Sequence, residues 1–100
     1  MKVKKEEEML IEHDKEKQVF FAEVENKRAI LEYNKLEEKT LDYYHTFVPE
    51  ELRGRKIASG IVKEGMEYAE KNGYKVIPTC PFVKAFIKRN PQFENIIKRS

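Results

Sequence analysis

His45-Thr46-Phe47-Val48-Pro49-Glu50-Glu51-Leu52-Arg53-Gly54-Arg55-Lys56-Ile57-Ala58 is the stretch on which the reading of this chain turns. Alternating residues run into Pro49, a short basic loop with one glycine follows, and from Ile57 the apolar residues recur at helical spacing. A strand-loop-helix junction leaves the first amides of the helix unpaired, with the positive end of the helix dipole behind them. Three of the four residues from Arg53 to Lys56 are cationic and the fourth is Gly54. An anionic, phosphate-bearing ligand is expected at this junction.

Upstream, the pattern is that of strands. Met9–His13 is a short apolar run, closed by the polar Asp14–Lys17. Gln18–Glu25 alternates, with Phe20, Ala22 and Val24 on one face. Asn26-Lys27 reads as a tight hairpin turn, and Arg28–Tyr33 returns with Ala29, Leu31 and Tyr33 sharing a face. The polar Asn34–Lys39 reads as a second hairpin connection. Thr40–Val48 is a fourth strand, with Leu41, Tyr43, His45 and Phe47 expected on one side and Asp42, Tyr44, Thr46 and Val48 on the other.

Downstream, Ile57, Ala58, Ile61, Val62, Gly65, Met66 and Ala69 form the apolar stripe of a long helix, which Asn72-Gly73 should close. Gly60 and Gly65 each lower helix propensity by roughly 1 kcal/mol relative to Ala, so close approach to a sheet is expected there. Tyr74–Ile77 reads as a fifth strand, cut off by Pro78. Pro81 opens a second helix with apolar Phe82, Val83, Phe86 and Ile87, and Asn90-Pro91 ends it. Phe93, Ile96 and Ile97 should fold the tail back onto the body. The sum is one α+β domain spanning residues 1–100, with residues 1–7 expected to be mobile. Its sheet of about five strands is mostly antiparallel and its order is β-β-β-β-α-β-α; the strands flanking the first helix should be parallel.

Composition sets limits. With 40% apolar and 38% charged residues, and 11% aromatics, the chain reads as a soluble folded domain. Lys and Arg outnumber Asp and Glu by only 20 to 18, so no global basic field exists for nucleic acid. A nucleic-acid binder using Arg53, Arg55, Lys56 and Lys63 is therefore the least favoured reading. One cysteine forms no internal disulfide, no apolar run suffices to cross a bilayer, and the charged N-terminus carries no apolar signal core. The expected location is cytoplasmic, with no membrane partner.

Three short motifs in order carry a resemblance: His45-Thr46-Phe47-Val48-Pro49, then Cys80-Pro81-Phe82-Val83, then Asn90-Pro91. With Arg53–Ala58 opening the first long helix, the chain resembles the GCN5-related N-acetyltransferases (GNAT). Specifically it looks like their short single-domain group, over roughly residues 8 to 97. The resemblance implies a minimal GNAT-like acyl-CoA N-acyltransferase fold, acetyl-CoA or coenzyme A as co-substrate, and no metal. It implies that the fourth and fifth strands splay near Pro49 and Pro78, so that backbone groups around Phe47 and Val48 bond the pantetheine arm. Arg53, Gly54, Arg55, Lys56, Ile57 and Ala58 would hold the phosphates, with Phe82 in the coenzyme site; Lys84 and Lys88, four apart on the second helix, would add to the positive rim or else form a solvated helix face. The loop pattern of the superfamily is Gln/Arg-x-x-Gly-x-Gly/Ala. Arg53 and Ala58 match it, but Lys56 stands at the middle glycine. A side chain there could crowd the pyrophosphate; equally, a helical backbone would not need glycine, and the ammonium could itself meet phosphate.

Acetyl transfer to an amine needs an uncharged amine, stabilisation of an oxyanion and a proton for the leaving thiolate. His45, expected near the acetyl group, can serve as general base directly or through water; the plainer alternative is a structural histidine. Cys80, before a helix start, could be nucleophile, acid or pocket lining, the last two being favoured. Tyr43 is a further candidate acid, and His13 reads as structural. The leading expectation is an acetyl-CoA-dependent N-acetyltransferase acting by direct attack of a primary amine, whether protein lysine, N-terminus or small amine. The alternative is a coenzyme A-binding module with little or no turnover.

Overall fold

The computed structural model describes residues 10–98, so the expectations for residues 1–7 and for the start of the first strand at Met9 lie outside it. Five strands, β1 Ile11–Asp14, β2 Val19–Val24, β3 Lys27–Leu36, β4 Thr40–Phe47 and β5 Lys75–Ile77, lie side by side in chain order. The first three pairings are antiparallel. β4 and β5 are parallel, joined by helix α1 Ile57–Lys71. Helix α2 Pro81–Arg89 follows β5, and 3₁₀ turns occupy Glu50–Leu52 and Pro91–Ile96.

Burial follows the alternation of the strands. Phe20, Ala22, Ala29, Leu31, Leu41 and Tyr43 are buried on the inner face of the sheet. They form one core with Ile61, Val62, Met66 and Ala69 of α1 and Val83, Phe86 and Ile87 of α2. Gly65 explains why α1 lies so close: a Cβ there would come within 2.9 Å of Leu31 Cδ2 and 3.1 Å of Tyr43 Cε2. Tyr43 Oη donates to the Gly65 carbonyl at 2.6 Å, a bond that fixes the helix against β4. The tail does fold back: Phe93 and Ile96 are buried, Ile97 bridges Val76 in parallel, and the Lys98 amide bonds the Val76 carbonyl at 2.8 Å.

Three local expectations need correction. The first hairpin turn is Glu25-Asn26, not Asn26-Lys27: both residues have positive φ (53° and 67°) and Val24 pairs with Lys27, which is a two-residue primed turn. β3 runs on to Leu36, so the second connection is only residues 37–39, with Glu38 and Lys39 at positive φ. Most consequential, β4 does not alternate evenly. Glu32 pairs with His45 but the next residue, Tyr33, pairs with Tyr43, which leaves Tyr44 as an extra residue in a bulge. Side chains beyond it change faces. Thr46, opposite Leu31, turns inward, while His45 opposite Glu32 and Phe47 opposite Ile30 turn outward, away from Tyr43. Among the described residues this outer face is open, with Phe47 47% exposed and Tyr44 40% exposed.

Candidate functional site

β5 pairs with β4 only as far as Asp42↔Ile77, and the Cys80 amide adds one more bond, to the Tyr43 carbonyl at 3.0 Å. Beyond that point the chain after β5 turns into α2, while β4 continues along β3 to Phe47. A cleft of about 450 Å³ opens where the two part company. Thr46, Phe47 and Val48 form its β4 wall and Phe82 stands on the side of α2. Its floor is the junction: Leu52, Arg53, Gly54 and Lys56, then Ile57, Ala58 and Ser59 of the first turn of α1.

The junction is held in shape from below and from the side. Leu52, the one large apolar residue in a charged loop, is fully buried and ends the 3₁₀ turn. Arg53 Nε donates to the Val48 carbonyl at 3.1 Å, tying the loop to the end of β4. Gly54 has φ 81°, a conformation that favours glycine. Lys56, the N-cap of α1, has φ 62° and ψ 21°. The expectation of an ordinary helical backbone at this position is thereby overturned: it is left-handed, which gives a physical reason for glycine in the related pattern. The first bond of α1 runs from the Gly60 amide to the Lys56 carbonyl at 3.1 Å. The amides of Ile57, Ala58 and Ser59 therefore have no partner within the helix, and all three residues line the cleft.

The sequence-derived candidates do not all converge. Phe47, Val48, Arg53, Gly54, Lys56, Ile57, Ala58 and Phe82 line the cleft together. Arg55 is turned to the β2–β3 hairpin, where its guanidinium meets Glu25 Oε2 at 3.1 Å and, by that hydrogen bond and its charge, holds the Glu25 carboxyl below the usual range. Lys84 borders a separate hollow with Pro78, Ile87 and Lys88. Cys80 is buried behind the cleft wall, 3.5 Å from Thr46 Oγ1. Burial pushes its thiol up, but hydrogen bonds from Thr46 and from the Val83 and Phe82 amides outweigh that and leave it below the usual value. His45 is exposed on the outer face. Tyr43 is wholly buried, its ionisation pushed far up by burial, and its hydroxyl proton is given to Gly65. His13 stacks on Phe20 with centroids 4.0 Å apart and bonds Tyr33 Oη at 2.5 Å, inside an aromatic cluster away from the cleft.

Three lining residues were not singled out from sequence. Ser59 could have been, since it belongs to the first helical turn, and so could Leu52, an isolated apolar residue among charges. Thr46 could not, because its inward orientation depends on the bulge. Free amides, cationic side chains and an apolar slot between parting strands suit a ligand with phosphate at one end and an extended, amide-bearing arm at the other. Among the described residues no group of three or more His, Cys, Asp or Glu side chains is placed to hold a metal ion.

Comparison with known proteins points the same way. Residues 19–96 match the family model described as GCN5-related N-acetyl-transferase. The chain is similar to the protein NATD1 of Danio rerio, 36% identical over 83 residues that cover 81% of this chain and 76% of that one. It is similar over the same shares to NATD1 of Xenopus tropicalis, at 34% identity. Human NATD1 is 30% identical over 81% of this chain and 74% of its own length. In three dimensions the fold matches the solution structure of a GCN5-like protein from Staphylococcus aureus. The TM-score is 0.72 at 21% identity, covering 92% of this chain and 90% of the other.

Proposed function

The chain belongs to the GCN5-related N-acetyltransferases, and on that premise we propose that it binds acetyl-CoA in the cleft between β4 and α2 and passes the acetyl group to a primary amine by direct attack. The observation that carries this reading is the set of amides of Ile57, Ala58 and Ser59, without partners among the described residues, at the floor of the cleft. They and Lys56 would hold the pyrophosphate, and the freed edge of β4 at Thr46–Val48 would bond the pantetheine arm as a strand would. Bound there, the thioester supplies the activated acetyl group.

The chain's own groups divide the proton transfers. A nitrogen–carbon bond forms as the carbon–sulfur bond breaks, so one proton leaves the amine and one must reach the thiolate. His45, outside the sheet, takes the first. Cys80, behind Thr46, donates the second; a thiol brought below its usual range by Thr46 and the α2 amides is a better acid for this step. A free-standing nucleophilic role for Cys80 is disfavoured by its burial at 6% exposure.

A second reading, a coenzyme A-binding module with little or no turnover, is favoured by one observation: a left-handed lysine occupies a place in the cleft where the related pattern has glycine. Calorimetry with coenzyme A and with acetyl-CoA tests both readings, and absence of heat with either ligand removes both. Thioester consumption across a set of primary amines then separates them: turnover supports the enzyme, and binding without turnover supports the module.

A further inference from the structure

The outer face of the sheet is organised in three rungs that the strand register defines. The first is Glu23↔Arg28, joined by an ion pair of 2.6 Å, with the Arg28 guanidinium 4.1 Å above the Phe21 ring. The second is Glu12↔Phe21↔Ile30↔Phe47. The third is Asp14↔Val19↔Glu32↔His45. Rungs two residues apart lie about 7 Å from one another along the strands. An ion pair occupies one end, an apolar strip of Phe21, Ile30 and Phe47 the middle, with Glu12 at its outer edge, and carboxylates with a histidine the other end. The strip meets the cleft at Phe47, which belongs to both.

From this juxtaposition we infer that the outer face is the acceptor site, and that it takes a small primary amine on an apolar stem, its ammonium at Glu32 and its stem along Phe21, Ile30 and Phe47. The inference rests on the acetyl-transfer reading and adds the acceptor's class to it. Charge sets the direction of the molecule: the first rung is neutralised by its own ion pair, whereas the Glu32 carboxylate, with Asp14 on the same rung, attracts an ammonium to the third, directly across from His45. Size sets the class. From Phe21 to Phe47 the strip crosses three strands, about 10 Å, which suits an arylalkyl stem. One rung deep, it covers on the order of 70 Å², far less than the roughly 800 Å² per partner of a stable protein interface. An amine seated at Glu32 presents its nitrogen to His45 and lies against the strand whose other edge forms the cleft wall.

The test uses the ¹⁵N-labelled full chain, first saturated with coenzyme A and then titrated with phenethylamine. The expected result is shifts of the amides of Phe21, Ile30, Glu32 and His45, with Glu32→Gln weakening phenethylamine by about fivefold or more. Ethanolamine, which has the ammonium without the apolar stem, should bind at least about tenfold more weakly than phenethylamine. Shifts confined to another surface, no shifts, or equal affinity in Glu32→Gln overturn the inference. The coenzyme A titration keeps the two claims apart: if coenzyme A does not bind, the acetyl-transfer reading falls. If it binds and the outer face stays silent, only the acceptor assignment falls.

Discussion

Replacing Lys56 with glycine should stabilise this protein, against the usual direction of a lysine-to-glycine change inside a helix. Lys56 sits at φ 62° and ψ 21°, where its Cβ is crowded by its own backbone. A left-handed residue other than glycine costs about 1–2 kcal/mol. Glycine takes back part of this by enlarging the freedom of the unfolded chain, about 0.4–1 kcal/mol. The difference leaves a net gain of up to about 1.6 kcal/mol, centred on about 0.8, which in a chain of this length raises Tm by about 3–6 °C. Lys56→Ala is the necessary companion, because alanine loses the ammonium but keeps the Cβ. Thermal unfolding of the three proteins at one pH should rank glycine above lysine and alanine, with the last two close together. If Lys56→Gly melts no higher than Lys56→Ala, the assignment of strain to this backbone is wrong. The same variants serve coenzyme A binding: crowding by the side chain predicts tighter binding for glycine, and an ammonium that grips phosphate predicts weaker binding for both variants.

Gly65→Ala should destabilise by about 1–2 kcal/mol despite a gain of roughly 1 kcal/mol in helix propensity, because the new methyl meets Leu31 and a Tyr43 ring held by its own hydrogen bond; denaturant titration reads the difference. His13 is held below its ordinary value of 6.5 by burial and then by Lys15, so below that pH the unfolded chain binds more protons than the folded one. Stability should therefore be full above the unfolded value and fall as the pH drops through it, and His13→Gln should flatten Tm between about pH 7 and 5.5; an unchanged slope in the variant would refute the assignment. Cys80→Ala should lower turnover with a primary amine by about 10²-fold or more if the thiol is the acid, while near-normal turnover removes both the acid and the nucleophile from consideration. Glu25→Gln frees Arg55 from its present partner and should tighten coenzyme A up to about fivefold at low salt, a gain that shrinks as salt is added.

Much of the frame was legible because it depends on short-range pattern. The inner faces of β2 and β3, the stripe of α1, its stop at Gly73 with φ 77°, and Pro81 at the start of α2 all follow from spacing and local backbone chemistry. The junction at the floor of the cleft was legible for the same reason: a strand, a basic loop and a helix start are consecutive in the chain. The illegible parts depend on partners far away in sequence. The bulge at Tyr44 exists only in the pairing of β4 with β3, so an even alternation wrongly grouped His45 with Tyr43. Arg55 was assigned to phosphate because nothing local reveals Glu25, thirty residues earlier, as its present partner. The left-handed state of Lys56 was hidden by its position beside a helix, where right-handed geometry is the default.

The bulge also says what kind of change this protein can least absorb. Most substitutions in β4 alter one side chain and leave its neighbours where they are. Slippage of the Tyr44–Phe47 segment by one residue, closing the bulge, would restore even alternation, swing His45 to the interior and expel Thr46 in a single event. Along this segment, register rather than composition is the quantity that keeps His45 and Thr46 on opposite faces of one ribbon.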